Sequence, residues 1–120
     1  MKMELSKDSK LLRIFIGELD KAGHTPLYEA IVYTAKKNGI AGATVLRGIM
    51  GFGANSRVQT AKILHLSQDL PIVVEIVDHL DKINAFIPKL NELFAQADCG
   101  GLVTIEKAGV WFYKPSKKKR

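Results

Sequence analysis

The chain has 120 residues, 47% of them hydrophobic and 25% charged, and carries a formal net charge of +6. This composition is typical of one soluble globular domain, and no apolar run approaches the roughly 20 residues that a membrane-spanning helix needs. The polar start of the chain does not resemble a signal peptide. The one cysteine, Cys99, excludes an internal disulfide and leaves too few thiols for a cysteine-based zinc site. We therefore expect a cytoplasmic protein.

The positive charge is concentrated at the end of the chain, because residues 117–120 (KKKR) supply four of the six net charges. We predict a polar N-terminal tail at residues 1–10, a single domain at 11–114 and a basic C-terminal tail at 115–120. A basic tail solubilises a protein or contacts nucleic acid or acidic lipid. No stripe of alternating aromatic and basic residues accompanies it, which disfavours nucleic acid as the partner.

The first part of the domain predicts a strand followed by a helix. Residues 11–17 are dense in Leu, Ile and Phe, a pattern typical of a buried strand. Thr25 before Pro26 predicts a helix start, with a hydroxyl cap and a proline at the first helical position. Asn38 and Gly39 predict its end.

Two further strands are predicted on either side of a long loop. The apolar run 43–52 predicts the second strand, and the run 72–77, which follows Pro71, predicts the third. Residues 60–66 are a candidate returning arm of the loop between them.

A second helix and a fourth strand complete the domain. Pro88 lies within the apolar stripe of this helix and predicts either a kink or a helix that begins there. Gly100 and Gly101 end the helix, residues 102–106 predict a strand, and residues 110–113 are a candidate extension of it. The stripe consists of Ile83, Phe86, Ile87, Leu90, Leu93 and Phe94.

The resulting order, β-α-β-β-α-β, predicts an α+β protein with a ferredoxin-like antiparallel sheet and both helices on one face. The third strand is apolar on both sides, since Val73 and Val77 alternate with Ile72, Val74 and Ile76. Two helices cover only one face, so we predict an obligate oligomer that buries the other face. The alternative is that the loop or the C-terminal segment folds over it.

The loop between the second and third strands is the strongest candidate site. Gly48, Gly51 and Gly53 precede Arg57 and Lys62. Glycines let backbone N–H groups approach a ligand, and the cations suit a phosphate. The alternative is a bulge and hairpin turn with solvated cations on its rim. The spacing matches neither the Rossmann nor the P-loop motif.

Other polar residues give no pattern for catalysis or metal binding. His24, His65 and His79 lack metal-ligand spacing, and the scattered carboxylates form no acid–base pair, so we predict no enzymatic activity. Glu75 lies on the most apolar strand, and we expect a Lys or Arg partner across a subunit interface. Nothing near Cys99 in sequence is expected to lower its pKa.

Several motifs resemble the uncharacterised PII-like group known as domain of unknown function 190. The GFG run at residues 51–53 also resembles the base of the T-loop in the PII signalling proteins. The motifs are LLRIFIGE (11–18), PLYEAIV (26–32), GATVLRGIMGFGANS (42–56), DLPIVVEIVD (69–78) and GLVTIEK (101–107).

The resemblance implies a homotrimer that binds an adenine nucleotide (AMP, ADP or ATP) as effector in clefts between subunits and requires no cofactor. A ligand-responsive loop at about residues 51–70 would dock onto an enzyme, a regulator or a membrane transporter. Gly100 and Gly101 fall where PII proteins place the phosphate-binding B-loop. The predicted nucleotide-binding residues are Arg47, Gly48, Gly51, Phe52, Gly53, Asn55, Arg57, Gly100 and Gly101.

The chain also departs from the PII pattern. The B-loop lysine is absent after Gly101, Asn55 is only a loose counterpart of the PII glutamine, and residues 51–66 lack the tyrosine that PII proteins use for covalent modification. Two alternatives remain: a nucleic-acid-binding protein that uses the basic tail, and a metal-handling trimer that resembles the CutA proteins.

Overall fold

The structure is a computed structural model that describes residues 8–53, 58–61 and 69–117. Within these ranges the chain forms eight strands and two helices. The elements are β1 (Ser9–Gly17), β2 (Lys21–Ala22), β3 (Thr25–Pro26), α1 (Leu27–Lys37), β4 (Thr44–Arg47), β5 (Met50–Gly51), β6 (Gln59–Thr60), β7 (Pro71–His79), α2 (Leu80–Ala97) and β8 (Leu102–Lys107).

Four of the strands form one antiparallel sheet in the order β4-β7-β1-β8. The central strands β1 and β7 pair along their whole length, from Ser9 opposite His79 to Gly17 opposite Pro71. The short strands form two separate two-stranded ladders, β2-β3 and β5-β6. The predicted ferredoxin-like α+β fold is confirmed, and β1 begins at Ser9, two residues before the predicted strand.

The core lies between one face of the sheet and the two helices. Every second residue is buried in β7 and, from Leu12 onward, in β1, as the period of a strand requires. The helices α1 and α2 contribute buried residues spaced by three or four. The side chains from this face and from the two helices therefore form one continuous apolar core. Its members include Leu12, Ile14, Ile16, Leu27, Ile31, Ile72, Val74, Ile76, Ile83, Phe86 and Leu90.

Helix α1 starts differently from the prediction, but it ends where the sequence predicted. Thr25 lies in the β2-β3 ladder and makes no capping bond, so the predicted hydroxyl cap is wrong. Instead, the Leu27 N–H donates to the carbonyl of Asp20 at 2.7 Å. At the other end, Asn38 is the C-cap, and Gly39 has a φ of 76°, the left-handed conformation that favours glycine.

Helix α2 starts at Leu80 and continues through Pro88. Of the two expectations for Pro88, a kink or a helix that begins there, the second is therefore wrong. Proline removes one backbone donor, but the residues on both sides of it keep the apolar stripe against the sheet. The helix ends at Ala97, and its C-cap Asp98 has a φ of 49° and donates its N–H to the carbonyl of Phe94 at 2.9 Å.

Two predicted strands are shorter than expected. The second strand, predicted over residues 43–52, divides at Gly48 into β4 and β5, because β5 pairs with β6 and not with the main sheet. Residues 110–113 form no strand, so the predicted extension of the last strand is wrong.

The second face of the sheet, which we call the open face, is partly covered. Val110, Phe112 and Tyr113 line an open groove of about 490 Å³ at one end of it, together with Leu11 and Val77. The Tyr113 hydroxyl donates to the carbonyl of Ala41 at 3.4 Å. At the other end, Leu46 and Leu102 are 48% and 57% exposed. The C-terminal segment therefore lies against one end of the open face, and an apolar surface is exposed at the other end.

The charged partner of Glu75 lies in the same chain. Arg13, directly opposite Glu75 on β1, donates from Nε to Glu75 Oε2 at 2.9 Å and also contacts Glu106. The prediction of a partner across a subunit interface is therefore wrong, because the neighbouring strand already supplies a cation.

Among the described residues, neither helix is long and apolar enough to cross a membrane.

Candidate functional site

Four strand ends meet at one end of the main sheet. In an antiparallel sheet the last residues of one strand lie beside the first residues of its neighbours. Strands β1 and β4 end there, at Gly17 and Arg47, and strands β7 and β8 begin there, at Pro71 and Leu102. The predicted residues that flank these ends therefore lie at the same end of the molecule.

Arg47 is held by a carboxylate that the sequence analysis did not single out. Its Nη2 donates to Glu18 Oε2 at 2.5 Å. The Arg47 side chain is 62% exposed, whereas that of Glu18 is 19% exposed. A guanidinium carries five N–H donors, so Arg47 is chemically able to bind an anion while it contacts Glu18.

Gly48 and Gly51 lie against Pro71 at the base of the loop. The Gly48 N–H donates to the Pro71 carbonyl at 2.7 Å. A Cβ on Gly48 would come within 3.3 Å of Pro71 Cβ, and one on Gly51 within 2.9 Å of Pro71 Cγ. These two glycines therefore have a packing reason to be glycine. Phe52 is 70% exposed, and a Cβ on Gly53 would meet no described atom within 4 Å.

The two glycines after α2 have different environments. A Cβ on Gly101 would lie 2.8 Å from Phe94 Cε1 and 3.0 Å from the carbonyl oxygen of Phe15, so only glycine fits there. A Cβ on Gly100 would meet no described atom within 4 Å. Gly101 thus allows the chain to pass close to β1, and Gly100 leaves its backbone accessible.

The predicted site residues form two groups at opposite edges of the sheet. Arg47 and Gly48 adjoin β4, whereas Gly100 and Gly101 adjoin β8, and β7 and β1 lie between them. Three steps of about 4.8 Å separate these edges by roughly 14 Å. One subunit therefore does not bring all of them around one small phosphate. Asn55 and Arg57, as well as Lys62 and His65, lie outside the described residues.

The turn at residues 17–20, which we call the acidic turn, connects the two groups and was missed by sequence reasoning. The Gly17 N–H donates to Asp20 Oδ2 at 2.8 Å, and the Leu19 N–H donates to Asp69 Oδ1 at 3.0 Å. The Glu18 N–H donates to the carbonyl of Leu70 at 2.9 Å. A glycine followed by two carboxylates at the end of a buried strand was the signal in the sequence.

Cys99 lies beside the acidic turn, and its environment disfavours the thiolate. Burial, and then the negative charge and hydrogen bond of Asp20, raise the pKa of the thiol to about 11, and Asp98 adds to the effect. The expectation that nothing near Cys99 lowers its pKa is confirmed. Such a thiol is a poor nucleophile at neutral pH.

The described residues contain no cluster of three or more His, Cys, Asp or Glu side chains arranged to hold a metal ion. His79 lies at the opposite end of β7 from Pro71 and approaches Asp81, with Nδ1 3.8 Å from Oδ2. The metal-handling alternative has no support in this part of the chain.

Comparison with known sequences shows the family. The chain belongs to the DUF190 family, described as "Uncharacterized ACR, COG1993", whose sequence model matches residues 9–110. A UPF0166 protein of Aquifex aeolicus (strain VF5) is 37% identical over 101 residues, which cover 84% of this chain and 91% of the relative. A UPF0166 protein of Methanocaldococcus jannaschii is 37% identical over 103 residues, which cover 86% of this chain and 92% of the relative.

Comparison with solved structures shows a PII-like fold. CPII, a nitrogen regulatory PII-like protein from Thiomonas intermedia K12 bound to ADP, AMP and bicarbonate, aligns with a TM-score of 0.63 and 16% identity, over 85% of this chain and 87% of CPII. A putative PII-like signaling protein from Thermus thermophilus aligns with a TM-score of 0.58 and 19% identity, over 83% of this chain and 86% of that protein.

Proposed function

We propose that this protein is a PII-like regulator that binds an adenine nucleotide and performs no chemistry of its own. One observation carries the proposal: the glycine-rich loop base and the Gly100–Gly101 segment lie at the same end of a PII-like sheet. A protein with this fold, CPII, was solved with ADP and AMP bound. The open backbone at Gly53 and Gly100 supports ligand contacts at these positions.

The working unit of this proposal is a homotrimer of the domain at residues 11–114, with the nucleotide in a cleft between subunits. Two features support assembly. The apolar end of the open face exposes Leu46 and Leu102, a surface of the kind that proteins bury against another subunit. In addition, Arg47 and Gly101 lie at opposite edges of one sheet, so a neighbouring subunit would be needed to place the Gly100–Gly101 segment beside an Arg47 side chain.

The regulatory step is a change in the loop at residues 51–70 when the nucleotide binds. On the loop side, the ligand would be contacted by Arg47, Gly48, Gly51, Phe52, Gly53, Asn55 and Arg57. On the other side, it would be contacted by Gly100 and Gly101. The loop would then engage an enzyme or a membrane transporter at the cytoplasmic side, as an order–disorder switch. The basic tail at residues 115–120 lies outside this mechanism.

Calorimetric titration of nucleotide-stripped protein with AMP, ADP, ATP and cyclic AMP tests the proposal, with the mass measured by light scattering. We expect saturable binding of at least one nucleotide, close to one per subunit, by a trimer. Gly100→Ala is expected to weaken binding, and Gly109→Ala, also in open space, is the matched control. An intact trimer that binds none of the four nucleotides would refute the proposed ligand.

A further inference from the structure

Among the described residues, carboxylates outnumber guanidinium groups in the contacts around the acidic turn. The contacts that the described residues make around the acidic turn involve four carboxylates and one guanidinium. Arg47 pairs with Glu18, Asp20 and Asp69 accept backbone N–H groups of the turn, and Asp98 lies beside Cys99. Such a surface repels anions in proportion to their charge.

The backbone of Glu18 is held in place beside the loop base. Its backbone N–H donates to Leu70 at 2.9 Å, and the N–H of the preceding Gly17 is held by Asp20 at 2.8 Å. The Glu18 side chain is mostly buried, whereas its partner Arg47 is mostly exposed. An anion that binds Arg47 therefore meets a carboxylate that the fold keeps in place.

We propose that Glu18 limits the charge of the ligand at Arg47, so that the site selects a nucleotide with a single phosphate over a nucleoside triphosphate. This inference rests on the proposed function and deepens it by naming the ligand class. A monophosphate can share Arg47 with Glu18, since a guanidinium offers donors to more than one oxygen. Each further phosphate adds negative charge beside the Glu18 carboxylate, which the fold keeps next to Arg47.

Glu18 is thus a specificity-determining residue. Removing its charge should affect the triphosphate more than the monophosphate. A triphosphate carries about two more negative charges than a monophosphate, and exposed charges interact only weakly, so the expected change in the affinity ratio of the two nucleotides is roughly tenfold.

The test is calorimetric titration of the full-length trimer with AMP and with ATP, in the absence of divalent cations so that ATP keeps its full charge. We expect the wild type to bind AMP more tightly than ATP. Glu18→Gln should raise the affinity for ATP relative to AMP by roughly tenfold. Glu18→Asp, which keeps the charge, should keep the ratio close to that of the wild type. Glu92→Gln, a matched loss of charge at an exposed position on α2, should leave the ratio unchanged.

Each outcome decides between the two proposals. A wild type that binds AMP, together with an AMP-to-ATP ratio that Glu18→Gln leaves unchanged, overturns the role of Glu18 and keeps the proposed function. A wild type that binds ATP more tightly than AMP also overturns the role of Glu18 and keeps the proposed function. Failure of the wild type to bind either nucleotide overturns the proposed function, and the role of Glu18 falls with it. Circular dichroism and light scattering establish that each variant is folded and assembled.

Discussion

Arg13 and Glu75 lie directly opposite each other on the two central strands, and Arg13 Nε donates to Glu75 Oε2 at 2.9 Å. Arg13 also contacts Glu106 on the other neighbouring strand. The hydrogen bond to Glu75 raises the pKa of the Arg13 guanidinium, and the charge of Glu106 adds to the effect. The carboxylates of the open face therefore have a cation within their own chain. Contact of this face with another subunit can then be made by apolar side chains.

Val73→Asp should dissociate the proposed trimer. Val73 lies on the open face beside Phe15 and opposite Leu46, and an aspartate there would bury an unpaired carboxylate in a subunit contact. Light scattering should show the mass of a monomer for this variant. Tyr33→Asp, which places the same charge on an exposed residue of α1, should keep the mass of the wild type. A Val73→Asp variant that remains trimeric would show that the contact lies elsewhere.

The elements whose signal is a repeated pattern could be predicted from the sequence. Strands β1 and β7 and the apolar stripe of α2 each carry a regular period, and their burial follows that period. The errors concern single residues with more than one possible role. Thr25 pairs with Ala22 and so caps no helix, and Pro88 lies within a helix that packing against the sheet stabilises.

The candidate site was predictable only in part, because its geometry depends on contacts distant in sequence. Glycine spacing identified Gly51 and Gly101, but their fit against Pro71 and Phe94 depends on strand pairing. The pairing of Glu18 with Arg47 joins residues 29 positions apart. No local pattern encodes such a contact, so Glu18 was not singled out from the sequence.

Gly101→Ala should destabilise the fold, whereas Gly100→Ala should not. The added Cβ at position 101 would meet Phe94 at 2.8 Å and a backbone oxygen of β1 at 3.0 Å, and the backbone cannot move aside without disturbing the β1-β8 pairing. We expect a loss of roughly 1–3 kcal/mol in the free energy of unfolding, measured with a chemical denaturant. Position 100 is the matched control because a Cβ there meets no described atom within 4 Å. Equal stability of the two variants would contradict the close packing at Gly101.

Asp78→Asn should destabilise the protein more than Asp81→Asn. The Asp78 carboxylate is 1% exposed and accepts the N–H of Ala41 at 2.8 Å and that of His79 at 2.6 Å. An asparagine offers one acceptor oxygen, so one of these N–H groups would lose its partner, at a cost of roughly 1–3 kcal/mol. Asp81 is exposed in the first turn of α2, and its change should cost less than about 1 kcal/mol. Thermal and denaturant unfolding of both variants measure the difference in their free energies of unfolding. Equal losses of stability in the two variants would mean that Asp78 is solvated.

Alkylation of Cys99 should be slow at neutral pH and should rise with pH to a midpoint near the raised pKa. Burial comes first among the causes that raise this pKa to about 11, followed by the negative charge of Asp20. The thiolate is the reactive form, so the rate with iodoacetamide should increase about tenfold per pH unit below the pKa. Asp20→Asn removes one of the raising contributions, so the midpoint should move to lower pH and the rate at neutral pH should increase. Asp81→Asn, at the opposite end of the sheet, should leave the profile unchanged. A wild-type midpoint at the ordinary value for cysteine, about 8.5, would mean that Cys99 is solvated and distant from the acidic turn.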